Sequence, residues 1–158
     1  MTTRFEMAPA LHVAQWINTP APISLEALRG RVVVLHAFQM LCPGCVAHGL
    51  PQTGRIREAF AEHEVAVIGL HTVFEHHAVM TAEALQVFVH EYRLEFPIGI
   101  DQPSAHSAVP LTMQAYSLRG TPRVQGGLRA TKGWPNVRLS CRKRGWCKWV
   151  TAKATSCC

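Results

Sequence analysis

Two stretches of this chain are continuously apolar over the length of a strand. Arg31-Val-Val-Val-Leu-His-Ala-Phe38 and Glu64-Val-Ala-Val-Ile-Gly-Leu-His71 are rich in β-branched residues and lack the alternation of a half-exposed strand. Both therefore predict strands buried on two faces. Phe96-Pro-Ile-Gly-Ile-Asp101 predicts a third, shorter strand. Between residues 81 and 94 the period changes: Leu85, Phe88, Val89 and Tyr92 recur at helical spacing, with Thr81 placed as N-cap. Leu50, Ile56, Ala59 and Phe60 give a second helix, running from the residues after Cys45 to about His63, with Pro51 predicting a kink in it. Ile23–Gly30 reads as one helical turn closed by Gly30, and Val109–Leu118 as a short helix ahead of Gly120-Thr-Pro122. Strands and helices alternate, which predicts an α/β domain with a parallel or mixed sheet. There is no internal repeat.

A chain of 158 residues, 48% of them apolar, can bury a core without staples. Its longest apolar runs are strand-sized and far short of a membrane span, so no membrane partner is expected. The opening Met-Thr-Thr-Arg-Phe-Glu-Met carries an acid and no hydrophobic run, which gives the expectation of a cytoplasmic protein. In that compartment paired cysteines are more often catalytic or metal-binding than structural.

Charge is divided sharply. The formal net charge is +6, yet all ten acidic residues and all nine histidines precede Arg123. Residues 1–122 contain seven Arg and no Lys, a balance of −3; residues 123–158 contain five Arg, four Lys and no acid, a balance of +9. The same tail holds Cys141, Cys147, Cys157 and Cys158 and three of the four Trp. A basic tail of this kind can bind nucleic acid, a partner that would require the tail to be genuine.

The chemistry centres on Cys42-Pro-Gly-Cys45. A C-x-x-C pair is weak in isolation, but here a buried strand ends, a short turn follows and the pair opens a helix. At a helix start the first thiol faces unpaired backbone N–H groups and the positive end of the helix dipole, which favours its thiolate. The second thiol lies one turn on, within reach of a disulfide. Cys42 is thus expected to be the attacking nucleophile and Cys45 the resolving thiol. A structural zinc knuckle and two inert core cysteines are the competing readings. His36, in the first strand, is expected to be a core histidine with a backbone partner, because an unpaired buried polar group is costly. His71, His76 and His77 lack the spacing and flanking acids of a metal site, and no metal is assigned to them.

On these residues the chain resembles the thioredoxin superfamily, and within it the TlpA/ResA-like thiol–disulfide oxidoreductases, over residues 17–122. Ser24-Leu-Glu-Ala-Leu-Arg-Gly-Arg-Val-Val-Val-Leu is similar to the family's approach to its central strand, and Cys42-Pro-Gly-Cys45 to its redox motif. Phe96-Pro-Ile-Gly-Ile-Asp and Ala115-Tyr-Ser-Leu-Arg-Gly-Thr-Pro are similar to its run into a cis-proline loop. The resemblance implies that Pro122 is that cis-proline and that Thr121 and Pro122 guide substrate. It also implies an exported relative, and so a periplasmic alternative to the cytoplasm. Three positions depart from the pattern. Leu41 stands where an aromatic usually precedes the first Cys. Pro51 falls six rather than five residues after Cys45, which suggests a one-residue difference in the first turns. His48 replaces a buried Glu; it is a candidate proton relay for Cys45, weighed against a histidine without a role.

After Pro122 the family fold needs two antiparallel strands and a closing helix. The sequence from Arg123 onward sustains neither a strand alternation nor a helical stripe. This predicts a shift of coding frame near Arg123, set against a genuine basic tail. The expected architecture is a thioredoxin-like mixed central sheet flanked by helices, with the C-terminal hairpin and helix lacking or disrupted. It is divided into an extension (1–16), the thioredoxin-like domain (17–122) and the tail (123–158). The expected function is dithiol–disulfide exchange with protein or small-molecule disulfides, coupled to a thiol reductant or oxidant, without a cofactor. The alternatives are a peroxiredoxin-like thiol peroxidase, for which Gln39 occupies the place of a needed Thr or Ser, and a non-catalytic metal-binding module built on the C-x-x-C pair.

Overall fold

Seven residues that can be buried from both sides form the middle of the structure. These are β2 (Val32–Phe38), which pairs in parallel with β3 (Val65–His71) from Val32 opposite Val65 to Phe38 opposite His71. The computed structural model describes residues 8–128, 137–141 and 147–151. β3 in turn pairs in parallel with β4 (Ile98–Asp101), and β1 (Val13–Ile17) closes that edge antiparallel to β4. On the other side of β2 runs β5 (Arg123–Leu128), antiparallel to it, giving the mixed order β1-β4-β3-β2-β5. This is a thioredoxin-like α/β fold.

The alternation along β2 divides the core into two layers. Val34 and Phe38 face α1 (Leu50–Ala59) and α2 (Ala82–Glu91), packing with Cys45, Leu50, Ile56, Leu85 and Val89. Val33 and Leu35 face the opposite way, onto Leu28, Ala66, Ile68 and Leu70. Each large aliphatic side chain buried this way is worth roughly 1.5–3 kcal/mol. α2 starts where the sequence places it, with Thr81 Oγ1 accepting from the Ala84 N–H at 3.3 Å. The turn at residues 25–29 ends on Gly30 at φ +89°, a left-handed conformation natural to glycine. α3 (Leu111–Ala115) is shorter than the 109–118 segment expected.

Two expectations need correcting. α1 ends at Ala59 rather than near His63, and Pro51 does not kink it, because Pro51 lies in its first turn, where a missing N–H is harmless. What precedes α1 is a π-helical turn, Cys45–Gly49, whose end is marked by the Leu50 N–H donating to the Cys45 carbonyl, five residues back. A π turn holds one residue more than an α turn. It accommodates the extra residue between Cys45 and Pro51. The segment beginning at Arg123 also forms a strand despite its weak pattern and Gly126-Gly127, because pairing with a central strand outweighs local propensity. β6 (Val137–Cys141) and β7 (Cys147–Thr151) pair antiparallel with each other in a sheet of their own. No helix among the described residues is long and apolar enough to cross a membrane.

Candidate active site

Topology brings two distant loops together. β2 ends at Phe38 and the chain turns at once into Cys42–Cys45; β5 starts at Arg123 and runs antiparallel, with Arg123 opposite Ala37 and Val124 opposite His36. Thr121 and Pro122, immediately before β5, therefore stand beside the cysteine turn at the carboxyl end of β2. The Thr121–Pro122 peptide is cis. Building a Cβ on Gly44 would place it 3.4 Å from Pro122 Cδ, so the proline ring lies against the turn between the thiols.

The two cysteines are reduced and differently exposed. Cys42 is half-buried; Cys45 is fully buried. The Cys45 backbone N–H donates to Cys42 Sγ at 3.3 Å, and Cys42 Sγ reaches the Thr121 carbonyl oxygen at 3.8 Å. The geometry arises from the helix start itself, where backbone N–H groups have no partner within the helix. Burial, reinforced by the neighbouring Cys42 thiol, pushes Cys45 up to about 12. The pair thus comprises one accessible sulfur held by a donor and one protonated sulfur shut behind it.

Gln39 fixes the loop around them. It is 2% exposed, its Oε1 accepts from the Phe74 N–H at 3.3 Å, and its Nε2 donates to Glu75 Oε1 at 3.2 Å. Its carbonyl accepts from the Cys42 N–H at 3.1 Å. His71 closes β3, and its Nε2 accepts from the Met40 N–H at 3.4 Å. Burial lowers His71 to about 4.

The histidines occupy contrasting positions, and His36 is the core residue expected. His48 is exposed on the π turn. His36 is fully buried on the α1 face of β2, stacked on Phe38 at 5.7 Å, and burial lowers it to about 4. Instead of the expected backbone partner, neither of its ring nitrogens has a hydrogen-bond partner among the described residues. Gly49 explains the tight fit above it: a Cβ there would lie 2.6 Å from His36 Nε2 and 3.2 Å from Pro122 Cβ. The signal for His36 was its even position in β2, shared with Val34 and Phe38; nothing in the sequence reveals that its nitrogens stay unpaired. Leu41, beside Cys42, is 56% exposed. No three His, Cys, Asp or Glu side chains converge into a metal-sized cluster among the described residues.

The profile of the AhpC/TSA family matches residues 6–131. The chain belongs to the AhpC/TSA family. Within it, the chain stands with the thioredoxin-like thiol–disulfide oxidoreductases. A crystal structure of a thioredoxin-like superfamily protein is 54% identical, with a TM-score of 0.75 over 76% of this chain and 77% of that one. A thiol-disulfide isomerase from Corynebacterium glutamicum is 46% identical, with a TM-score of 0.69 over 79% of this chain and 89% of that one. Protein DipZ of Mycobacterium tuberculosis is 36% identical over 62 residues, which make up 38% of this chain. The match spans only 9% of the length of DipZ.

Proposed function

We propose that this AhpC/TSA-family chain exchanges the dithiol and disulfide forms of Cys42 and Cys45 with protein or small-molecule disulfides. Cys42 attacks a substrate disulfide, forming a mixed disulfide and releasing one substrate thiolate. Cys45 then attacks Cys42 Sγ, closing the Cys42–Cys45 disulfide and expelling the second thiolate. A thiol reductant resets the pair, and no cofactor takes part. Thr121 and Pro122 guide the substrate past the half-buried sulfur. The observation that carries this reading is the asymmetry of the pair: Cys42 Sγ is reachable and held by the Cys45 N–H at 3.3 Å, while Cys45 is buried behind it. Attack from outside can reach only the first sulfur.

The thiol-peroxidase reading is disfavoured by Gln39. A peroxidase of this family needs a hydroxyl three residues before its reactive Cys, and here that position is an amide engaged with Phe74 and Glu75. Insulin reduction with dithiothreitol as donor tests the proposal. Cys42→Ser should abolish turnover, and Cys45→Ser should stall as a mixed disulfide on Cys42. Unchanged insulin reduction by either variant would overturn the reading, and peroxide consumption matching insulin reduction would favour the peroxidase.

A further inference from the structure

Thr121 and Pro122 flank the cysteine turn on the β5 side of β2; on the β3 and β4 side lies a cavity that the exchange reaction does not yet use. It measures about 340 Å3 and sits at the carboxyl ends of β3 and β4. β2, β3 and β4 are parallel neighbours, so those ends lie on the same side of the sheet as Cys42. Open α/β sheets bind ligands outside the carboxyl ends of their strands. Val73, Met80 and Ile100 give the cavity an apolar wall, and Val73 and Ile100 are only partly covered by the core. Asp101 also lines it, but its two oxygens already accept from the Thr112 N–H at 2.8 Å and the Met113 N–H at 3.0 Å. The cavity therefore offers an occupant apolar surface more than charge. Exposed His77 and Ser107 add polar atoms with which a passing backbone can hydrogen-bond. Val73, His77 and Met80 belong to the loop between β3 and α2, and that loop is fastened to the cysteine turn. The Phe74 N–H donates to Gln39 Oε1 at 3.3 Å, and the Gln39 carbonyl accepts from the Cys42 N–H at 3.1 Å.

We propose that this cavity is a substrate subsite, taking a large apolar side chain that lies near the attacked cysteine in a polypeptide disulfide. This rests on the dithiol–disulfide reading above and narrows its substrates to polypeptides. The spacing fits such an occupant. With neighbouring strands about 4.8 Å apart, the end of β4 stands about 10 Å from the end of β2. An extended chain advances about 3.3 Å per residue, and every second side chain shares a face. Side chains two and four residues from the substrate cysteine therefore bracket that distance, on the face that meets the enzyme. Glutathione has one residue on either side of its cysteine and no apolar side chain, so it cannot fill the cavity. A polypeptide can be held on both sides of Cys42, by Thr121 and Pro122 toward β5 and by the cavity toward β4.

Quench-flow of the fully reduced protein with synthetic disulfides at subsaturating concentration tests this. The tryptic peptide spanning residues 32–55 carries Cys42 and Cys45 and none of the other four cysteines, so its mass reports formation of the bridge in the full-length chain. Each probe is the symmetric disulfide of an Ala–Ser peptide with a single cysteine. One series is unaltered, and the others carry Phe two or four residues before or after that cysteine. In the wild type one or more Phe peptides should form the bridge roughly 10-fold faster than the unaltered peptide, the scale of one apolar group in a pocket. Ala108 is an exposed residue of the lining, so it can be enlarged without entering the core. Ala108→Trp should fill the cavity and bring the ratio of Phe to unaltered peptide close to one. Equal rates for all peptides in the wild type overturn the subsite, and so does a ratio that survives in Ala108→Trp. A wild-type protein that forms no bridge with any peptide or with glutathione disulfide overturns the redox reading itself.

Discussion

Asp101 ends β4 and His36 lies in β2, strands that each stand one in from an edge of the sheet; both side chains are withdrawn from solvent. Their surroundings differ completely. Asp101 Oδ1 accepts from the Thr112 N–H at 2.8 Å and Oδ2 from the Met113 N–H at 3.0 Å, so the carboxylate caps the start of α3. The Thr112 hydroxyl extends the network to the His12 carbonyl at 3.0 Å, tying β1 to the same corner. His36 has no such network. A buried polar group normally finds partners, because leaving one unpaired costs about 1–3 kcal/mol. Asp101 follows that rule and serves as scaffold. His36 breaks it against Gly49, the last residue of the π turn that begins at Cys45. Burial alone therefore does not decide whether a polar group in this core is partnered.

Acid should expose the contrast most strongly. His36 and His71 are lowered from 6.5 to about 4 in the folded chain, so the unfolded chain binds more protons between those values. Stability from their neutral burial is complete above about pH 6.5 and is lost as pH falls toward 4, on the order of 3 kcal/mol for each histidine. Asp101 works in the opposite sense: burial raises its carboxyl above the usual range despite the amide hydrogen bonds, so its contribution declines as pH rises through its own titration. Urea unfolding at pH 7, 5.5 and 4.5 should show a fall governed by the histidines. His36→Leu should remove about half of it; a variant with an undiminished fall would mean that His36 is not buried neutral.

Asp101→Asn should have the next largest effect. One amide oxygen can serve only one of the two N–H donors of α3, leaving the other facing an NH2 group, a loss of about 1–3 kcal/mol. Resolution of the mixed disulfide by the folded variant should keep its wild-type rate, since nothing in this corner touches the cysteines. Slower resolution with undiminished stability would erase the distinction between the two corners.

How much of this was visible beforehand follows from the range of the interactions involved. β2, β3, β4 and α2 were legible because burial on two faces or on one stripe leaves a period in the sequence. The Cys42–Cys45 pair was legible because its chemistry is local. The one-residue offset of Pro51 was visible, but its resolution as a π turn depends on which carbonyl the Leu50 N–H selects. β1 lies where the reading placed an extension, and its pairing with β4 crosses more than 80 residues, a contact no local pattern records. The composition change at Arg123 falls on the first residue of β5, and the family profile continues to residue 131. His36 was recognisable as a core residue but not as an unpaired one, because partners are set by neighbours far away in the chain. His48 drew attention by its spacing from Cys45, whereas His36 lies beneath the turn through the fold alone.

Gly49 gives the smallest effect and the most local test, because two terms of similar size oppose each other there. Alanine is favoured over glycine inside a helical turn by about 1 kcal/mol. Against this, the new methyl would sit 2.6 Å from His36 Nε2, 2.9 Å from its Cε1 and 3.2 Å from Pro122 Cβ. The imidazole is held in a strand, so it cannot swing aside as a flexible surface side chain would, and overpacking of this kind costs roughly 1–3 kcal/mol. The clash should win narrowly, leaving Gly49→Ala destabilised by about 1 kcal/mol in urea unfolding. In a His36→Ala background the same substitution should become neutral or stabilising, since the methyl then meets only Pro122 Cβ at 3.2 Å. Gly49→Ala costing the same in both backgrounds would mean that the imidazole does not press on the π turn.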